Sequence, residues 1–436
     1  MAFHKSKERS FCLRVAEPFD LQAIRQNRIA RRSRDVKRSF KMKRIGFTLV
    51  TLMLMGSLAV ANLEAQTTIR QSYYVNAAAG DDSNNGRSEG AAFKTMQKAI
   101  DSAKMGVVKT ITIIGTVGGF PISGTGQDEI TITGKPDASE REKARINGGV
   151  SVGRGGTVVK FMYVTIENPS REDYACGIST DGKVTLGRNT VIQNCRTGIS
   201  YIESSSSSLI LTDNAVIIGC QDVGVSGVSV IMTDDSSITN NGIGIRNSSP
   251  ITMSGNARIS NNRNGGVKCD NNGTPFGTLT ISENAEISNN TSLTRRNYDR
   301  EIWGGGVYIG KLVMNGGKII NNTAAKQGGG VFCVSAEITG GEISGNKAER
   351  GGGIYFSGTS TISGGAISGN RAEYGAGIFV PNRASLTQSG GSITGNQAEF
   401  VGGGIYAENG ARYTSTGGTV TGNTAGDGVG NDVFNQ

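Results

Sequence analysis

The chain has 436 residues, of which 65 are Gly and only 7 Pro, with aromatics at 6%. No strict three-residue Gly period runs through it, which excludes collagen, and Gly, Ser, Asn and Thr rise together toward the C-terminus, as in a chain that turns every few residues. The net charge of +9 is uneven: residues 1–65 hold 14 of the 45 basic and 5 of the 36 acidic residues, leaving 31 of each beyond them. Without its leader the chain therefore has no overall basic pull toward nucleic acid or an anionic membrane.

The leader has the parts of a secretory signal peptide, taken as residues 42–65. Met42-Lys43-Arg44 opens a positive region, Ile45 to Val60 is apolar and uncharged, and Ala59-Val60-Ala61 or Leu63-Glu64-Ala65 offers a cleavage site. The apolar run is shorter than the ~20 residues a membrane span prefers, so no stable transmembrane segment is expected after cleavage. Residues 1–41 then read as an over-extended start or a basic tail. The remainder is expected in an extracytoplasmic compartment, secreted or on the surface of a bacterial cell.

Residues 66–145 read as an N-terminal cap with the first coils. Tyr73 to Asn76 is strand-like, Gly80 to Gly86 is a polar turn, Phe93 to Met105 has helical spacing at Met96, Ile100 and Ala103, and Thr110 to Ile114 is a second strand. An amphipathic helix there can cover the first coil of a solenoid.

From 146 to 436 one phrase recurs, Ile/Val-x-x-Asn/Cys. It ends at Cys195, Cys220, Asn241, Asn262, Asn290, Asn322, Asn346, Asn370, Asn396 and Asn423. A Gly followed by Ile or Val comes after each copy, from Gly198-Ile199 and Gly224-Val225 to Gly404-Ile405 and Gly428-Val429. A two-residue turn such as Asp213-Asn214, Gly255-Asn256 or Gly364-Gly365 precedes each copy. Three- or four-residue β segments cannot stand alone, and they complete their hydrogen bonds only by stacking on the next coil. Gly and Asn mark corners that need positive φ. The Asn residues should fall into one column whose amides hydrogen-bond up the stack at the strand spacing of ~4.8 Å, with Cys195 and Cys220 as small buried thiols in the same column. The predicted fold is thus all-β: a right-handed single-stranded parallel β-helix, or solenoid, with a small α/β N-terminal cap.

These residues carry a resemblance. The Tyr-Tyr-Val, Gly-Asp-Asp, Asn-Gly, Phe-Lys-Thr and Lys-Ala-Ile series of the opening resembles the N-terminal cap of the pectate-lyase-like β-helix superfamily. From about Asn290 the repeats also resemble those of polymorphic outer membrane proteins, bacterial surface adhesins that pair F-x-x-N with GGA-I. Here the pairs read Ile343-Ser344-Gly345-Asn346 with Gly352-Gly353-Ile354, and Ile367 to Asn370 with Gly375 to Ile378. Every copy has Ile or Val in place of the family's Phe. The resemblance implies a binding or adhesion surface for carbohydrate or for a host or cell-surface protein. Its enzymatic alternative is a Ca-dependent polysaccharide lyase, since lyases of this superfamily use Asp-held Ca²⁺ with an Arg or Lys base.

Three features are candidate sites. Thr291 to Trp303 interrupts one coil and brings Arg295, Arg296, Tyr298, Arg300 and the only Trp, residue types enriched at interface hot spots. The alternative is a tolerated surface insertion. An aromatic follows Gly-Ile/Val in Tyr308, Phe332, Tyr355, Phe379 and Tyr406. Strand alternation turns these outward, predicting an exposed ladder that binds a ligand or stiffens the sheet by self-stacking. Asp213 and Asp235, expected to align in adjacent coils beside Asp234, could share Ca²⁺ or be ordinary turn residues. The column Glu349, Glu373, Glu399 reads as solvated charge relieved by Lys347 and Arg371. No catalytic residue and no metal ligand is assigned. The only His is His4, which excludes a Ser-His-Asp triad, a Cys-His pair or a His-ligated zinc beyond the leader.

Overall fold

Each short apolar segment is paired, parallel and in register, with the equivalent segment of the next turn of chain. A computed structural model describes residues 71–436, apart from 104–108, 124–128, 154–157, 171, 173–174, 202–206, 248, 272–273, 294–302 and 427. The expected start or tail (1–41) and signal peptide (42–65) lie outside the described residues. The strands form a 32-stranded sheet whose pairings repeat coil by coil, which makes the chain a parallel β-helix. Ile178, Ile199, Val225, Ile245 and Val267 stack in one inward column that continues through Val307, Val331, Ile354, Ile378 and Ile405 to Val433. Similar columns run through Leu209 and Val230, and through Ile192, Ile217 and Ile238. All of these residues but Val433 are buried and belong to one continuous core. Each buried Ile, Leu or Val contributes about 1.5–3 kcal/mol.

The corner after the third segment explains the repeated phrase. Its penultimate residue is left-handed: Asn240, Asn261, Asn289 and Asn321 have φ of 55–57°, and Gly345, Gly369, Gly395 and Gly422 have 62–68°. Only Gly or Asn adopts this conformation at little cost. The next residue is the buried Asn. Asn346 Oδ1 accepts the main-chain N–H and the Nδ2–H of Asn322 at 2.9 and 3.1 Å. Its own Nδ2 donates to Asn370 Oδ1 at 3.0 Å and to the Ile319 carbonyl at 2.9 Å. Both lone pairs and both N–H groups of the amide are therefore used. The same pattern runs from Asn262 through Asn290 and Asn322 to Asn396. Below it, the Cys220 N–H donates to Asn241 Oδ1 at 2.8 Å, so cysteine occupies the column as expected. All five described cysteines are free thiols.

The Gly-Ile phrase depends on this column. A Cβ on Gly330 would stand 2.9 Å from Asn346 Nδ2 and 2.7 Å from the Gly353 carbonyl. One on Gly198 would stand 3.1 Å from Cys220 Sγ. The glycine is required because the next coil's Asn or Cys lies directly over it.

Two expectations are corrected. The helix spans Met96–Ser102 and buries Met96 and Ala99, with Ile100 and Ala103 only partly covered. Its start is fixed by Thr95, which caps Lys98 N–H at 3.2 Å and is itself held by Asp82. In the final coil the strand that pairs with Ile405–Ala407 is Val433–Asn435, so Asp432-Val433 takes the place expected for Gly428-Val429, and Val429 is 50% exposed.

Asn346→Ala should destabilise the helix by at least about 2 kcal/mol, because it orphans buried donors of Asn322 and the acceptor of Asn370, each worth about 1–3 kcal/mol. Gly330→Ala should cost a similar amount by displacing the same amide. Urea denaturation checks both, and a loss below about 0.5 kcal/mol for either would reject the column as a stabilising element.

Candidate functional site

The residue after the inward Ile/Val column points away from the core, and its column changes character along the helix. It runs Ser179, Ser200, Ser226, Arg246, Lys268, then Tyr308, Phe332, Tyr355, Phe379, Tyr406 and Phe434. The aromatic rings stack on one another, with centroids 5.1 Å apart for Phe332–Tyr355, 5.2 Å for Tyr355–Phe379, 4.8 Å for Phe379–Tyr406 and 5.3 Å for Tyr406–Phe434. The ladder therefore exists, with Phe434 as a further member.

Its exposure differs from expectation. Tyr308 is 1% exposed and Phe379 2%, and Phe332 and Tyr406 are also buried, leaving Tyr355 and Phe434 half-buried. Neighbours roof the rings. Trp303 stacks on Phe332 at 5.2 Å, the Tyr374 ring meets Tyr406 edge-on at 5.9 Å, and the Arg350 guanidinium lies 5.8 Å from the Phe379 centroid. The ring faces are spent on each other, so the ladder acts as a second, external core. Burial pushes the Tyr355 and Tyr406 hydroxyls up from their ordinary value near 10.

Arg295, Arg296, Tyr298 and Arg300 lie outside the described residues. The two ends of that insertion are placed. Trp303 joins the aromatic ladder, and Leu293, 55% exposed, borders a surface groove. The groove, of about 750 Å³, runs along a small sheet built by the loops that follow the Asn corner. Its strands are Thr291–Ser292, Thr323–Ala324, Arg371–Tyr374, Gln397–Val401 and Thr424–Ala425, with Lys347 bridging Thr323 and Arg371.

The groove's composition follows from a repeated phrase, Asn-x-Ala-Glu, as Asn346 to Glu349, Asn370 to Glu373 and Asn396 to Glu399. The Asn is fixed in the core column, so each following residue is fixed too. Ala348, Ala372 and Ala398 turn inward and are buried. The residues on either side of each Ala face outward and form two rows. One is Lys347, Arg371 and Gln397, and the other is Glu349, Glu373 and Glu399. Lys347 and Arg371, expected to relieve the glutamates, stand in the neighbouring row of the same groove, across the buried Ala. Glu349 is instead paired with Lys326 and, at 3.8 Å, with Arg350. Among the described residues Glu373, Glu399, Lys347 and Arg371 take part in no ion pair.

The aspartates fall one residue out of the expected alignment. Val216 pairs with Ser237, which sets Asp213 against Asp234 and Asn214 against Asp235. One Asp234 oxygen accepts the Thr212 hydroxyl at 2.5 Å, the Thr233 hydroxyl at 3.0 Å and the Asp213 N–H at 3.1 Å. The Thr212 hydrogen bond leads the causes that hold its carboxyl below the usual range. Asp235 accepts from Asn256 at 2.9 Å. These are corner hydrogen bonds, and among the described residues no three carboxylate, thiol or imidazole groups converge as metal ligands would. Among them, too, no helix is long and apolar enough to cross a membrane. No protein-family model matches the chain, and no curated protein matches it.

Because the folded state favours the neutral form of Tyr355, that ring's contribution to stability is complete below about pH 10 and is lost as pH rises above it. Tyr355→Phe should therefore raise the midpoint of alkaline unfolding relative to wild type. Circular dichroism across pH 8–12 checks this, and an unchanged midpoint would show that the hydroxyl is solvated in the folded protein.

Proposed function

We propose that this chain is a secreted or cell-surface β-helix protein that acts as a binding surface for carbohydrate or protein, with the loop-sheet groove as its contact face. The observation that carries the reading is the pair of charged rows, in which, among the described residues, only Glu349 takes part in an ion pair. Like charges directly opposite one another across neighbouring strands are destabilising. Lys347 nevertheless pairs over Arg371 at the coil spacing of about 4.8 Å, and Glu349, Glu373 and Glu399 follow the buried Ala in successive coils, with a register shift between Glu373 and Glu399. An extended polymer lying along the groove would meet a donor row and an acceptor row at once, and would offset the repulsion in each. Several weak contacts on one linear ligand also add through effective concentration. Leu293, the last described residue before 294–302, borders this groove, which supports including the Thr291–Trp303 insertion in the contact region.

The secreted or surface setting rests on the signal-peptide pattern of residues 42–65 and on the resemblance of the repeats to those of surface adhesins. One observation also favours a second reading, a polysaccharide lyase: Arg371, a side chain able to serve as base, shares the groove with carboxylates. Against it, the three glutamates stand one per coil as a ladder. Incubation with uronic-acid polymers, with and without Ca²⁺, separates the two. Unsaturated product that Arg371→Ala abolishes would replace binding by catalysis.

For the binding reading, a screen of glycans and cell-surface proteins supplies the ligand. Glu373→Ala with Arg371→Ala should then weaken its binding at least tenfold, about 1.4 kcal/mol, with the β-sheet circular dichroism intact. Deletion of residues 294–302 should weaken it without unfolding the stacked core. Full binding by both variants would remove the groove and the insertion from the contact region.

A further inference from the structure

The uppermost coil departs from every coil beneath it at one position, and the departure has a geometric meaning. In the lower coils the main-chain N–H groups of Gly377 and Ile378 donate to the carbonyls of Gly403 and Gly404. One coil higher, those of Gly404 and Ile405 donate to Asn431 and Asp432. Asp432 therefore stands where Gly404 stands below it. A Cβ at Gly404 would lie 2.8 Å from Asn423 Nδ2, so in the lower coils the next Asn forbids a side chain there.

At Asp432 the place of that next Asn is taken by the carboxylate itself. Its Oδ1 accepts the Asn423 main-chain N–H at 3.1 Å and Nδ2–H at 3.0 Å. These are the two donors that Asn396 gives to Asn423 at 3.0 and 2.8 Å. The neighbouring loop strand is closed in the same way. Ala324 and Ala348 donate their N–H groups to the next coil's Lys347 and Arg371 carbonyls. Ala425 donates to Asn431 Oδ1 at 2.7 Å. The lumen changes with them. Gln388 and Ser415 continue the column of Met314, Ile338 and Ile362, and the Tyr413 hydroxyl donates to Gln388 Oε1 at 2.8 Å. The outer strand Arg412–Thr421 is polar and largely exposed.

We propose that Asp432 and Asn431 are the terminator of the stacking ladder: they supply from side chains the acceptors that a further coil would bring, and so close this end to coil-on-coil docking by a second copy of the chain. A solenoid end is otherwise a row of unpaired strand groups and a template for self-association. The test uses the purified full chain and reads amide exchange at Asn423 and Ala425 together with sedimentation velocity. Asp432→Ala should speed exchange of the Asn423 amide at least tenfold, and Asp432→Asn, which keeps the acceptor oxygen, should restore slow exchange. The double variant Asp432→Gly, Asn431→Gly restores the space of a lower coil and should show concentration-dependent association beyond wild type. Loss of folding in Asp432→Ala with Asp432→Asn intact would also support the terminator. Unchanged Asn423 exchange in Asp432→Ala, or association of the double variant equal to wild type, would overturn it.

Discussion

A primary amide has two donors and two acceptor lone pairs, and a buried one must satisfy all four. The Asn column meets that condition only if each coil places its amide directly above the last. The other regularities of the helix follow from this. The left-handed residue before each Asn turns the chain so that the amide points inward. The Gly after it is bare because the next amide occupies the space above. With one residue per coil pinned at the same height and azimuth, the apolar columns align and the outward residues acquire fixed addresses. The aromatic ladder and the charged rows of the groove are consequences of that pinning.

The same constraint accounts for what sequence could reveal. The Asn and Gly phrases carry their geometry in their chemistry, so the fold, the amide column and the placement of Cys195 and Cys220 were legible. Alternation along a strand correctly turned Tyr308, Phe332 and Tyr355 away from the core. Their burial was not legible, because the groups that roof them, Trp303, Tyr374 and Arg350, arrive from loops whose paths no local periodicity encodes. The pairing of Asp213 with Asp234 rather than Asp235 turned on a single residue of register at a corner, where strand alternation gives no guide. The role of Asp432 was not legible for a related reason: Gly428-Val429 matches the repeated phrase, while the residue that fits the space is the one that breaks it.

The two external surfaces differ in how their side chains use neighbours. Aromatic rings at strand spacing attract one another and become structure. Charged groups of one sign at the same spacing repel and need something else. Of the described residues, Glu349 finds that partner in Lys326, whereas Glu373 and Glu399 find none. The ladder is thus held by its own rings, while the charged rows on the neighbouring loop strands have few partners among the described residues.

The amide column also has a direction. One side-chain N–H of each amide points toward the C-terminal end, the other turns back to an Ile carbonyl of the preceding coil, and every C=O points toward the N-terminal end, so the carbonyl dipoles add along the axis as they do in an α-helix. Successive bonds in such a file polarise one another. An anion is favoured where the N–H ends emerge, and the group found there is the carboxylate of Asp432. The solenoid thus carries an electrostatic polarity along its core, like a helix capped by an acidic residue, although its repeating unit is an entire coil of chain.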